Sequence, residues 1–184
     1  MSTLSIVPRG SADTSHVLGA VFAGGRSSRF GSDKAVALFD GRPLVDHAAD
    51  VLRPWVDAVV VIGGDRPGSI ADQPRPDLGP LGGLAGALVH ARDSGFDTVL
   101  TLACDTPHLP DGLLAELTRR APSFCIDSPT IGYWPAALAD TLIAYLDEAE
   151  DRSVRGWARR CGALPVVASG RIANVNTPAD LARL

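Results

Sequence analysis

Val17-Leu-Gly-Ala-Val-Phe-Ala23 runs without interruption into Gly24-Gly-Arg-Ser-Ser-Arg-Phe-Gly-Ser-Asp-Lys34. An apolar run of strand length thus breaks into a loop rich in glycine and cations. The run shows no polar alternation, so it reads as a strand covered on both faces of a sheet. The same kind of unit recurs down the chain. Asp57 to Ile62 ends in four consecutive β-branched residues, Asp97 to Ala103 reads as a third strand, and Leu164–Ala168 as another. Between them lie stretches of helical character. Pro43 to Arg53 has its proline in the first turn and brings Leu44, His47, Ala48, Val51 and Leu52 toward one face. Further helices are predicted at Leu81–Asp93, Asp111–Arg120, Pro135–Asp147, Ser153–Cys161 and Pro178–Leu184. This alternation predicts an α/β fold with a three-layer α/β/α arrangement around a mostly parallel sheet.

The chain has 184 residues, which suits one domain, expected over 17–184. Residues 1–16 are polar and lack the apolar core of a signal peptide, and Val7-Pro-Arg-Gly-Ser11 resembles a protease site. They are expected to form a flexible extension. A net charge of -4 argues against nucleic acid as the main partner. No apolar run approaches the roughly 18–20 residues of a membrane span. Cys104, Cys125 and Cys161 form neither a CxxC pair nor a disulfide framework, and His16, His47, His90 and His108 lack ligand spacing. A cytoplasmic location is the expectation.

Three glycine- and proline-rich loops, Gly24–Asp33, Gly63–Pro80 and Cys104–Pro110, follow predicted strands. In open α/β sheets ligands bind outside the carboxyl ends of the strands. In the first loop, Gly24 and Gly25 let backbone approach a ligand closely, while Arg26, Arg29 and Lys34 supply cations. That combination holds a polyphosphate, although neither GxxxxGK[ST] nor GxGxxG is present; read alone, the stretch is also compatible with a charged surface turn. Lys34 stands out because the chain has sixteen arginines and this one lysine. A compact ammonium enters a narrow phosphate site that a guanidinium fork does not fit.

Asp105, in Cys104-Asp-Thr-Pro107, follows a buried strand at the mouth of that crevice. A carboxylate there suits magnesium, which takes one or two carboxylates plus substrate phosphates; an Asx turn or helix cap is the plainer alternative. His108 has no nucleophile partner and reads as an exposed turn residue. Asp72, ahead of Gly79-Pro-Leu-Gly-Gly83 and its helix, can accept hydrogen bonds from a base or ribose. Asn174 and Asn176, in Asn174-Val-Asn-Thr-Pro178, are by themselves typical of caps and turns.

Taken together, the Gly24–Lys34 loop, Gly79–Gly83, Cys104–Pro107 and Asn174–Pro178 resemble the molybdenum cofactor guanylyltransferases, in that family's order and over about Val17 to Leu184. The resemblance implies a Rossmann-like fold of the nucleotide-diphospho-sugar-transferase kind. It implies transfer of GMP from GTP to molybdenum-bearing molybdopterin, with magnesium as cofactor and pyrophosphate as product. It implies that Phe22, Ala23, Gly24, Gly25 and Gly63 contact the nucleotide, that Arg29 and Lys34 meet the phosphates, and that Asp72 holds the nucleoside. Asp105 would serve nucleotide and magnesium, and Asn174 and Asn176 the acceptor. Proteins that supply molybdopterin or mature molybdoenzymes would be its partners. The chain departs from the pattern at Phe30 (usually Met), at Gly63-Gly64 (often Asn) and in a shortened Phe124–Pro135 segment with Ser128-Pro129 in place of His-Pro. Two rival readings are the same fold acting on CTP or a sugar phosphate, and a nucleotide-binding adaptor without turnover.

Overall fold

Strand β1, Val17–Phe22, lies between β4, Ala58–Ile62, and β5, Thr98–Ala103, and is parallel to both. The computed structural model describes residues 15–23, 34–63, 67–175 and 177–181. The start of the sheet is pinned by two aspartates that each precede a neighbouring strand. Asp57 Oδ2 accepts from the Val17 N–H at 2.7 Å, and Asp97 Oδ2 from the His16 N–H at 2.8 Å. At the other end Phe22 is in register with both Ile62 and Ala103. The segments that follow β4 and β5 therefore leave the sheet at the level of the end of β1.

Among the described residues between β1 and β4 come a 3-10 turn, Lys34–Val36, and a small hairpin of β2, Leu38–Phe39, and β3, Arg42–Pro43, with a second 3-10 turn, Arg53–Trp55, ahead of β4. Its tip is Asp40-Gly41, with φ of 48° and 76°. Two consecutive positive φ values are what a tight hairpin turn demands, and Asp-Gly supplies them at low cost. Helix α1, Leu44–Leu52, follows and buries Leu44, Val45, Ala48, Ala49 and Leu52. Its apolar face is thus turned slightly from the expected one, and His47 sits at the flank.

Helix α2, Pro80–Asp93, starts with proline at its first position after Gly79. It buries nine residues, all of them Gly, Ala or Leu, and its glycines allow backbone-level contact. A Cβ on Gly86 would stand 2.2 Å from the Ala71 carbonyl oxygen, and one on Gly83 would stand 2.8 Å from Ile62 Cγ2. The helix is therefore pressed onto the strand ends and onto the segment that carries Asp72.

The rest of the sheet departs from expectation. Helix α3 is confined to Leu113–Leu117, and two strands unmarked in the sequence follow it: β6, Ser123–Cys125, and β7, Gly132–Pro135. Both fall inside the shortened Phe124–Pro135 segment and its flank. β7 runs antiparallel to β5 and to β6. The predicted Pro135–Asp147 helix begins as a 3-10 turn, Ala136–Leu138, and becomes α4, Ala139–Glu148. Helix α5, Val154–Cys161, is capped by Ser153, whose hydroxyl accepts from the Gly156 N–H at 3.0 Å. Strand β8, Leu164–Val166, pairs parallel to β6, and α6, Pro178–Leu181, is the last described element. The order is β4-β1-β5-β7-β6-β8.

Side chains alternate along β1 between two cores. Leu18 and Ala20 face α2, α4 and α5, with Trp134 and Trp157; Val17 and Val21 face α1 and α3. This is the three-layer arrangement that the sequence predicts. β4, as an edge strand, buries only Ile62 fully, so its β-branched run is covered less than its composition suggests. Among the described residues, no helix is long and apolar enough to cross a membrane.

Candidate functional site

Lys34 and Asp105 are 71 residues apart in sequence, yet Lys34 Nζ donates to Asp105 Oδ2 at 3.0 Å. Both side chains are largely covered, with 14% and 29% exposure, so the pair is screened less than a surface ion pair. The fold explains the meeting. β1 and β5 are adjacent and parallel, and the Cys104 N–H donates to the Phe22 carbonyl at 3.0 Å, which sets the start of the Asp105 loop beside the end of β1. Lys34 opens the turn that leads to the hairpin. There the Phe39 ring lies 5.2 Å from the His47 ring and 5.9 Å, edge-on, from that of His108. The exposed His108 thus helps brace the segment that bears Lys34 against the loop that bears Asp105, a role its turn position alone does not announce.

The Asn174 segment reaches the same place. The Val175 N–H donates to the Asp105 carbonyl at 2.8 Å, and Asn174 Oδ1 lies 3.1 Å from Thr106 Oγ1. Lys34, Asp105 and Asn174 therefore converge. Gly24, Gly25, Arg29 and Asn176, also expected at the site, lie outside the described residues.

Phe22, Ala23 and Gly63 stand at the ends of β1 and β4, but their backbone is partly committed. The Ala23 N–H donates to the Ile62 carbonyl at 2.9 Å and the Gly63 N–H to the Ile70 carbonyl at 2.9 Å. What these two residues can offer a nucleotide is carbonyl oxygen, which suits the donor edge of a base better than a phosphate. Asp72 is half-buried at the first turns of α2, where the Gln73 N–H donates to the Gly82 carbonyl at 3.0 Å. A Cβ on Gly82 would lie 3.1 Å from Asp72 Oδ2, so glycine there leaves room for the carboxylate. Burial pushes the Asp72 carboxyl above the usual carboxylate range, and the nearby Asp77 adds to the shift.

Among the described residues no group of three His, Cys, Asp or Glu side chains could hold a metal ion by itself. Asp105 alone, with oxygens facing Lys34 and Thr106, suits an ion that completes its shell from water and ligand phosphates. The missed residue is Thr106, fully buried between Asp105 and Asn174. Its only sequence signal is its place between an aspartate and a proline.

Known proteins resemble this chain over most of its length. The family model of the MobA-like NTP transferase domain matches residues 19–167. A molybdenum cofactor guanylyltransferase of Xanthomonas euvesicatoria pv. vesicatoria is 36% identical over 178 residues, covering 90% of this chain and 93% of the relative. One of Cereibacter sphaeroides is 34% identical over 183 residues, covering 91% and 94%. Among solved structures, molybdopterin-guanine dinucleotide biosynthesis protein A of Archaeoglobus fulgidus superposes with a TM-score of 0.70 at 20% identity, covering 90% of this chain and 95% of that one. The 2-C-methyl-D-erythritol 4-phosphate cytidylyltransferase of Thermus thermophilus gives 0.62 at 14% identity, covering 89% and 95%. At such identities the two structures speak for the fold alone.

Proposed function

The chain belongs to the MobA-like NTP transferase family, and we propose that, like its guanylyltransferase relatives, it transfers GMP from GTP to molybdenum-bearing molybdopterin, releasing pyrophosphate. The observation that carries this reading is the 3.0 Å approach of the sole lysine to Asp105 at the ends of adjacent parallel strands. Phosphoryl-type transfer asks for alignment and charge neutralisation more than for a protein nucleophile. A phosphate oxygen of the acceptor attacks the α-phosphorus of GTP in line, the bond to the bridging oxygen toward the β-phosphorus breaks, and pyrophosphate carries away the electron pair. Lys34, with Arg29 from the preceding loop, offsets the charge on the triphosphate. Asp72 accepts hydrogen bonds from the nucleoside, and Asn174 and Asn176 face the acceptor.

Asp105 would hold magnesium through its carboxylate, and the ion when bound would supply charge neutralisation at the phosphates. In the free protein Lys34 occupies one oxygen of that carboxylate. When nucleotide binds, the Lys34 ammonium would pass from Asp105 to a phosphate oxygen, leaving the carboxylate free to hold the ion. A cytoplasmic location agrees with three cysteines that are all free thiols.

Product analysis tests the reading. With GTP, magnesium and molybdenum-loaded molybdopterin, the chain should form molybdopterin guanine dinucleotide and release an equal amount of pyrophosphate. A preference for CTP or UTP, or binding without pyrophosphate release, overturns it.

A further inference from the structure

Thr106 is fully buried, yet its hydroxyl has two oxygens within hydrogen-bond reach: Asp105 Oδ1 at 3.2 Å and Asn174 Oδ1 at 3.1 Å. A hydroxyl carries one proton and two lone pairs, so it cannot donate to both. The ionised carboxylate only accepts, and a hydrogen bond to a charged oxygen is the stronger one. The Thr106 proton therefore belongs to Asp105, and its lone pair must accept from Asn174. Only the amide nitrogen of Asn174 can donate. The bond network consequently sets that amide with its NH2 toward Thr106 and its carbonyl oxygen outward, an exchange of two atoms that are told apart by their partners.

We propose that Thr106 is a positioning residue that fixes the polarity of Asn174. It fastens the Asp105 carboxylate from below and turns the Asn174 carbonyl oxygen toward the acceptor substrate. The Val175 N–H bond to the Asp105 carbonyl, at 2.8 Å, holds the two segments in this relation. Asn174 is itself exposed, so its outward oxygen is available to a ligand. The acceptor that fits must bring an N–H or amino donor to that oxygen. The proposal builds on guanylyl transfer as the activity and adds a donor requirement on the acceptor side.

Two measurements test it. In nitrogen-15 spectra of the free protein, the Asn174 side-chain amide, assigned by its loss in Asn174→Ala, should lie away from the position of an exposed asparagine. Thr106→Val should move it there, and Thr106→Ser should leave it in place. An Asn174 amide that does not respond to Thr106→Val overturns the wiring, whatever reaction the chain catalyses. In turnover with molybdopterin as the varied substrate, Thr106→Val should lower kcat/KM for the acceptor by about tenfold, the scale of one hydrogen bond to a charged network. Thr106→Ser should recover most of the loss, which excludes simple misfolding. Asn174→Asp, which cannot donate, should match Thr106→Val. Combining Thr106→Val with Asn174→Ala should cost no more than the worse single change; independent, multiplying effects would overturn the proposal. Absence of any turnover in the unmodified chain is a failure of the guanylyl reading, and the spectra then decide the wiring separately.

Discussion

Lys34 shows how much one side chain can be asked to do. Its ammonium is mostly covered and meets Asp105 at 3.0 Å, a space suited to a compact cation. Lys34→Ala and Asp105→Ala should each lower kcat/KM by about 10²–10³, the usual scale for removing one charge-stabilising group, with melting curves close to the parent. Lys34→Arg keeps the charge and should still lose more than about tenfold, because the planar fork does not fit where an ammonium does; full activity in Lys34→Arg would show that charge alone matters. Asp72 predicts a pH effect. Its folded pKa is raised, so its charged form is disfavoured in the folded chain, and on this residue's account stability increases as pH falls through that raised value. Nucleotide affinity moves the other way, since a protonated Asp72 no longer accepts from the nucleoside with both oxygens. GTP affinity should therefore fall on the acid side at a pH above that of an exposed carboxylate, and Asp72→Asn should remove that limb from a calorimetric pH series. At this scale the sequence is informative where charge type matters. Lys34 and Asp105 could be read from their loops, whereas Thr106 could not, because its value lies in a hydrogen-bond geometry set by a segment 68 residues away.

Among elements, α2 is the one whose composition is explained by contact rather than propensity. Glycine in a helix interior costs roughly 1 kcal/mol relative to alanine, yet Gly82, Gly83 and Gly86 all lie in α2. Gly86→Ala should nonetheless destabilise the fold, by about 1–3 kcal/mol in chemical denaturation, because overpacking against the Ala71 carbonyl outweighs the helix gain. A rise in stability would mean that the helix can shift outward without loss. Strands β1, β4 and β5 were legible because a continuous apolar run has few other uses, even though β4 at the sheet edge is only partly covered. β6 and β7 were not, since each is short and the Ser128-Pro129-Thr130 stretch between them reads as loop. The β2–β3 hairpin was missed although Asp40-Gly41 marks its turn, because two-residue strands give no periodicity to detect. Trp157 on α5 supplies a further test: its indole nitrogen is buried and has no hydrogen-bond partner among the described residues. Trp157→Phe removes that unsatisfied donor, so its thermal cost should fall below about 1.5 kcal/mol, well short of a typical large truncation.

For the whole molecule, the sheet order β4-β1-β5-β7-β6-β8 sets the Lys34–Asp105 pair beside its parallel part and leaves the reversed strand β7 to lead the chain toward its later elements. The fold class was legible because it depends on the alternation of helix and strand; the reversal was not, since strand direction leaves no mark in local composition. Ligand linkage gives a test at this scale. GTP at about 100 times its Kd should stabilise the fold by about 2.7 kcal/mol, seen as a raised Tm, and Lys34→Ala should abolish most of that rise at the same concentration. The contact of Val175 with Asp105 also has a consequence in time. A ribosome makes Lys34 and Asp105 long before Val175, so a nascent chain holds both partners of that ion pair before the segment that fastens the Asp105 loop exists. On the proposed reading, a polypeptide released short of Val175 would lack the bond that fastens the Asp105 loop and should turn over nucleotide more slowly than the full chain.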